Sequence, residues 1–298
     1  MYNSQYPQIQ PFLQYLQFEK RYSQHTIISY QLDLDQFAAF LVSQFEAPSI
    51  KQVSSVMIRS WMGELKEEGL SAKTINRKIS TLKSFFKYLQ KQGEILQTPL
   101  ATVITPKISK RLPSFVAEED IDTLIRYVEF PDTWSGRTDR LILLLFYNTG
   151  MRLSELIQLK ESQLDPSYSQ VKVLGKGNKE RIIPVQSELI KELALYTREK
   201  PERVEGVTNI FVSERGKPLY PKYVYNLVKK YLGAVTTIQK KSPHVLRHTF
   251  ATHLMNNGAD LNAVKELLGH SSLAATQVYT HNTIEKLKEA YRKAHPKA

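Results

Sequence analysis

Cysteine is absent from this 298-residue chain. That excludes disulfides, thiolate nucleophiles and cysteine-held metals, and it fits a reducing cytoplasm, the expected location. Long apolar runs are missing too. The greasiest stretch, 141–147 (LILLLFY), is far shorter than the roughly 20 residues that span a bilayer, so no membrane role is expected. No charged-then-apolar leader opens the sequence. Low-complexity tracts are lacking, and 42% hydrophobic content supports ordinary cores. Acids are in deficit: 29 Asp and Glu face 41 Lys and Arg, a formal net charge of +12. A balance this basic points to a polyanionic partner, nucleic acid above all, with solubility as the blander account. The length suggests two domains or one large one.

The first third reads as a small helical bundle. Ile9, Phe12, Leu13, Leu16 and Phe18 recur at helical spacing over residues 7–19. Ser23 to Phe45 is a longer helix carrying Ile27, Ile28, Leu32, Leu34, Phe37, Phe40 and Leu41. Ser54 or Ser55 can cap a third helix that Gly69 ends, and Ser71 a fourth that Gly93 ends. The fourth helix buries Ile75, Ile79, Leu82, Phe85, Phe86 and Leu89. Its other face shows Lys73, Thr74, Asn76, Arg77, Lys78 and Lys83, and no acid lies between Ser71 and Gln92. Cations for phosphates and amide or guanidinium forks for base edges suit a DNA-binding face. A merely solvated face would normally mix in acids. Tyr22, Ser23, His25, Thr26, Ser29 and Tyr30 are weaker candidates for further contacts.

Thr105-Pro106 to Leu112-Pro113 is proline-bounded and basic, and it marks a domain boundary. Beyond it, a helix starts near Ala117 with acids in its first turn, and a buried helix, Arg137 to Tyr147, stops at Asn148-Thr149-Gly150. Arg152 then stands at the turn into the helix Leu153–Leu159. A mount of that kind can aim a guanidinium fork at an oxyanion. Glu155, one turn on, either steadies Arg152 or a nearby histidine, or is simply a helix-start acid. Residues 170–185 read as a strand pair flanking Gly175-Lys176-Gly177-Asn178. Lys176 can reach into a DNA groove, although an exposed turn lysine is the commoner fate. Further helices are expected at 187–199 and 221–232, and a short strand at Asn209–Val212.

Ser242-Pro243 looks like an N-cap and first helical residue. His244, Arg247 and His248 then share one face near a helix N-terminus, the end that favours anions. Asp260 can cap the next helix, whose stripe is Leu261, Val264, Leu267 and Leu268, with Gly269 ending it. His270 follows, then a segment carrying Tyr279. No metal pattern fits well: His244 and His248 have zinc-ligand spacing without the intervening Glu of a metalloprotease.

Taken in order, TGMRLSEL (149–156), GKGNKERIIP (175–184), HVLRHTFATHL (244–254), LLGHSS (267–272) and Tyr279 resemble the tyrosine recombinase, or lambda-integrase-like, family. The likeness spans nearly the whole chain and is nearest to the bacterial Xer group, XerC and XerD. It implies a mainly α fold with a small β-sheet in two domains. These are a helical core-binding domain at 1–105, a linker at 106–113, and a mixed α/β catalytic domain at 114–298 that ends in an interface helix.

The resemblance further implies a catalytic set of Arg152, Lys176, His244, Arg247, His270 and Tyr279, with Tyr279 the nucleophile that forms a 3′-phosphotyrosyl bond. Chemistry agrees with these roles. A phenol of pKa about 10 needs a base or a cationic pocket, and histidine titrates near neutrality. Fixed guanidinium charges suit the oxygens of a crowded phosphate, and with Lys176 they stand in for divalent ions, so neither cofactor nor metal is expected. His248 is the structural member of its helix face. The implied partners are a double-stranded recombination site, a homotetramer or a heterotetramer with a related recombinase, and a cell-division DNA translocase. Ile284 and Leu287, on a short C-terminal helix, are the expected interface residues. The implied role is chromosome dimer resolution. Alternatives are a mobile-element integrase, a type IB topoisomerase-like relaxing enzyme, and a non-catalytic architectural DNA-binding protein.

Overall fold

The computed structural model describes residues 5–108, 114–175, 180–200, 205–269, 291 and 293–295. The chain divides into two compact units, Met1–Arg111 and Leu112–Ala298.

In the first unit, α1 (Ile9–Gln14) runs into a π-helical turn at Tyr15–Glu19. Three helices follow: α2 (Gln24–Phe45), α3 (Ser55–Glu67) and α4 (Ala72–Lys91). The Ser23 and Ser71 hydroxyls accept from the amides of Thr26 and Thr74, so each satisfies a free donor at a helix start. Gly69 and Gly93 take positive φ where α3 and α4 end. Phe12, Leu34, Phe37, Trp61, Ile79, Leu82 and Phe86 fill the core. Phe18, Ile28 and Leu32 depart from the sequence reading and lie exposed. An apolar stripe wider than the surface available to cover it leaves its margins in water.

The second unit begins with α5 (Glu118–Arg126), the buried α6 (Trp134–Thr149) and the short α7 (Leu153–Gln158). A three-stranded antiparallel meander follows: β1 (Leu164–Asp165), β2 (Gln170–Leu174) and β3 (Glu180–Pro184). Val173 pairs with Arg181 and Val171 with Ile183, which puts all four on the buried face. Next come α8 (Ser187–Arg198), α9 (Pro221–Val235), α10 (Pro243–Asn256) and α11 (Leu261–Leu268). The strand expected at Asn209–Val212 is reduced to single bridges, Lys160 with Asn209 and Val212 with Pro218. The backbone turns away at once, with the Ser213 amide bonding the Lys217 carbonyl, so no ladder extends.

The described part of the C-terminus packs on its own unit. Tyr291 and Ala294 join its core, and the Tyr291 hydroxyl donates to Asn148 Oδ1 at 2.9 Å. Ile284 and Leu287 lie outside the described residues. Among the described residues no helix is long and apolar enough to cross a membrane.

Candidate active site

The site is built where α6, α7, β3, α10 and α11 converge. Gly150 ends α6 in the left-handed region, with φ +57°. A Cβ there would sit 2.4 Å from Phe250 Cδ1 and 2.9 Å from Leu268 Cδ2, so glycine is required twice over. Its absence of a side chain lets α10 and α11 close onto the end of α6. Arg152 follows as the N-cap of α7, and Glu155 reaches back to it.

Glu155 is the hub. Its Oε2 accepts from the Arg152 backbone amide at 2.7 Å and from Arg181 Nη2 at 2.8 Å. Its Oε1 accepts from Arg152 Nη1 and from Arg181 Nη1, each at 2.8 Å. Four bonds match the four acceptor sites of a carboxylate. Burial pushes this carboxyl upward, but the hydrogen bonds and charge of Arg181, then the bonds from Arg152, prevail and hold it at about 2. Glu155 therefore steadies Arg152, one of the options its sequence position left open.

The C-terminal carbonyls of α11 supply the other contacts. Leu267 O accepts from Arg181 Nε at 2.8 Å, Leu268 O from Arg247 Nη2 at 2.6 Å, and Gly269 O from Arg152 Nη2 at 3.0 Å. Three successive carbonyls of one helix end are each taken by a different arginine. These groups have no partner within a helix, and a helix C-terminus favours cations. Arg247 also donates to Gly150 O at 2.7 Å. Burial, then the charges of Arg152 and Arg181, lower the Arg247 guanidinium to about 10, so it stays charged at neutral pH. Three guanidinium groups surround one carboxylate, so the cluster carries an excess positive charge. Arg152 is its open member: 30% of its side chain is exposed, against 4% for Arg181.

His244, in the first turn of α10, is exposed, and Arg247 one turn later is buried. His248 is half-buried. Lys176, His270 and Tyr279 lie outside the described residues. Arg181 was missed by the sequence reading, which took ERIIP simply as a strand. Strand alternation carries the signal, because Arg181 shares a face with Ile183 and Val185. Among the described residues, no group of three or more His, Asp or Glu side chains is placed to hold a metal ion.

On the first unit, Lys73 and Lys83 are exposed on α4, and Thr74 is half-buried beside its cap. Asn76 donates to Pro106 O at 2.9 Å. Arg77 is half-exposed and forks onto Asp33. Lys78 corrects the sequence reading. It is buried, bonding Asp33 Oδ1 at 3.0 Å and Gln36 Oε1, so its charge is used inside the bundle rather than on a surface.

Residues 114–286 match the model of the phage integrase family, and residues 9–93 match that of the phage integrase N-terminal SAM-like domain. The tyrosine recombinase XerC of Chlorobaculum parvum is 38% identical over 317 residues, covering 97% of this chain and 94% of that protein. This chain belongs to the tyrosine recombinase family. The tyrosine recombinase XerD of Staphylococcus haemolyticus is likewise 38% identical, over 97% of this chain and 99% of that one. The XerH site-specific recombinase, solved as a pre-cleavage complex bound to difH substrate, superposes with a TM-score of 0.68. It is 27% identical, over 89% of this chain and 78% of that one. As a tyrosine recombinase, the protein is an enzyme of Xer type, mainly helical with one small sheet. Arg152 and Arg247 fall within two of the motifs that carry the resemblance, TGMRLSEL and HVLRHTFATHL, and here both reach the C-terminus of the same helix.

Proposed function

We propose that this recombinase cleaves and rejoins DNA at a specific site through a covalent 3′-phosphotyrosyl intermediate. The observation that carries the reading is the arginine cluster on α11, a preorganised cationic seat with one half-open guanidinium. In the first step Tyr279 Oη bonds to the scissile phosphorus and the bond from phosphorus to the 5′-oxygen breaks. His244 takes the phenolic proton, and Lys176 gives a proton to the departing 5′-oxygen. Arg152 and Arg247 hold the non-bridging oxygens, with His270 beside them, where charge grows in the transition state. The second step is the reverse, with a 5′-hydroxyl from the partner duplex as nucleophile. Bond energy is kept in the phosphotyrosine, so the chemistry itself consumes no nucleotide.

The relatives named XerC and XerD support a chromosomal role, dimer resolution at cell division, with four protomers on two sites and a second related recombinase as co-subunit. A cell-division DNA translocase is the activator such a role implies. Ile284 and Leu287 are the interface residues in this reading. Lys73, Thr74, Asn76, Arg77 and Lys83 are its DNA face, and Lys78 supports them from inside.

The test is incubation of full-length protein with nicked host-genome fragments in the presence of chelator. DNA that stays attached after denaturation is then sequenced. Enrichment of one site near the replication terminus, lost in Tyr279→Phe, is expected. Enrichment at the ends of a mobile element would replace the chromosomal role. The absence of any adduct would overturn the covalent mechanism.

A further inference from the structure

Arg181 takes no part in the scheme above, yet it bonds both to Glu155 and to the C-terminus of α11. Its side chain is 4% exposed, so it cannot touch a DNA phosphate. Three of its five donors are committed: Nε to Leu267 O, and both terminal nitrogens to Glu155. Gly269 makes room for it, since a Cβ there would lie 3.0 Å from Arg181 Cδ.

These bonds join three limbs of the site. Arg181 sits on β3, five residues after Lys176 in the sequence. Glu155 sits on α7 and fixes Arg152 through the latter's amide and its Nη1. Leu267 lies three residues before His270, at the end of α11.

The charge balance gives Arg181 a second task. Without it, Glu155 would keep Arg152 as its only ion-pair partner and neutralise it. With it, the Arg181–Glu155 pair is neutral as a unit, and Glu155 can orient Arg152 without cancelling its charge.

We infer that Arg181 is a positioning residue for strand cleavage. It acts through Glu155 to hold Arg152 aimed and still cationic, and it ties β3 to the α11 terminus. This deepens the phosphotyrosyl reading and rests on it.

The test uses the full-length chain and, as nicked duplex, the genomic fragment that wild type traps covalently. Wild type, Arg181→Met, Arg181→Lys, Glu155→Gln and the double variant Arg181→Met/Glu155→Gln are compared at saturating DNA. The single-turnover rate constant of adduct formation is read apart from its amplitude, and DNA affinity is read separately. Loss of a supporting partner of this kind typically slows a site by about 10–100-fold. Arg181→Met is expected near the upper end, with DNA affinity within about threefold. Arg181→Lys keeps charge but not the fork, and should recover part of the rate. The double variant should be no slower than the slower single variant, because both substitutions break one device.

A wild-type rate in Arg181→Met overturns the inference, as does a loss confined to amplitude. Should Arg181→Met fail to fold, Arg181→Lys decides in the same terms. A multiplicative double variant overturns the route through Glu155. A wild-type protein that forms no adduct brings down the phosphotyrosyl reading and the inference together, whereas a wild-type adduct with unaffected Arg181 variants brings down the inference alone.

Discussion

Glu155→Gln removes the carboxylate around which the site is assembled. Gln keeps one acceptor oxygen but turns the other toward Arg152 and Arg181 as an N–H donor, so donors face donors. Two guanidinium groups then lose their counter-charge, one of them almost fully buried. Breaking a buried pair in this way costs about 3–5 kcal/mol. The depressed carboxyl pKa gives an independent figure. A drop from an ordinary 4.5 to about 2 is worth about 3 kcal/mol of stability. Its sign is fixed: the folded form holds its proton less tightly than the unfolded chain. The contribution is therefore complete above pH 4.5 and fades as pH falls from 4.5 through 2. The assay is urea unfolding followed by Trp134 fluorescence in a Trp61→Phe background, so that the second unit reports alone. At pH 7, Glu155→Gln should lie about 3 kcal/mol or more below its parent, and the gap should narrow steadily below pH 4.5. A gap under about 1 kcal/mol, or one that does not change with pH, would refute the view that Glu155 holds the arginines by charge.

Gly150→Ala should destabilise the second unit by about 2–4 kcal/mol, from left-handed strain plus overlap with Phe250, and differential scanning calorimetry should show its transition moving down. Asp33 accepts from Arg77, Lys78 and Thr81 inside the first unit. Asp33→Asn should cost about 3 kcal/mol there, read by Trp61 fluorescence, and leave the Trp134 transition in place. His253 is buried between the Tyr147 hydroxyl and the Val116 carbonyl, and burial lowers its pKa below an ordinary 6.5. The unfolded chain thus takes up a proton that the folded form resists, so stability should decline as pH falls below about 6.5. His253→Gln should flatten that slope between pH 6.5 and 5 in equilibrium unfolding.

Helix ends were the most legible part of the fold, because their signals are local. Ser23, Ser71 and Asp260 accept from backbone amides at helix starts, and Gly150 and Gly269 take positive φ where helices stop. Arg152 and His244 stood out because each sits beside such a punctuation mark, and Arg247 because it follows His244 by one turn. What escaped was decided by tertiary partners. Lys78 looked like a surface cation until Asp33, 45 residues away, claimed it. Arg181 looked like the polar residue of a strand, and its partner Glu155 lies 26 residues earlier. The role of Glu155 itself was undecidable locally, because a first-turn acid satisfies the helix dipole whether or not an arginine waits nearby.

The three arginines that grip the last carbonyls of α11 also fix the point from which the chain departs toward Tyr279, the proposed nucleophile. Gly269 is pinned to Arg152, and Tyr279 comes ten residues later. A chain of that length, fully extended, reaches at most about 35 Å. The guanidinium seat therefore serves as a mooring, and chain length alone bounds the reach beyond it. In the proposed mechanism, whichever phosphate Tyr279 attacks must lie inside that circle. An insertion between Gly269 and Tyr279 would pay out more line while leaving the mooring intact. In the proposed mechanism, the length of this one span bounds how far from Gly269 the Tyr279 oxygen can act.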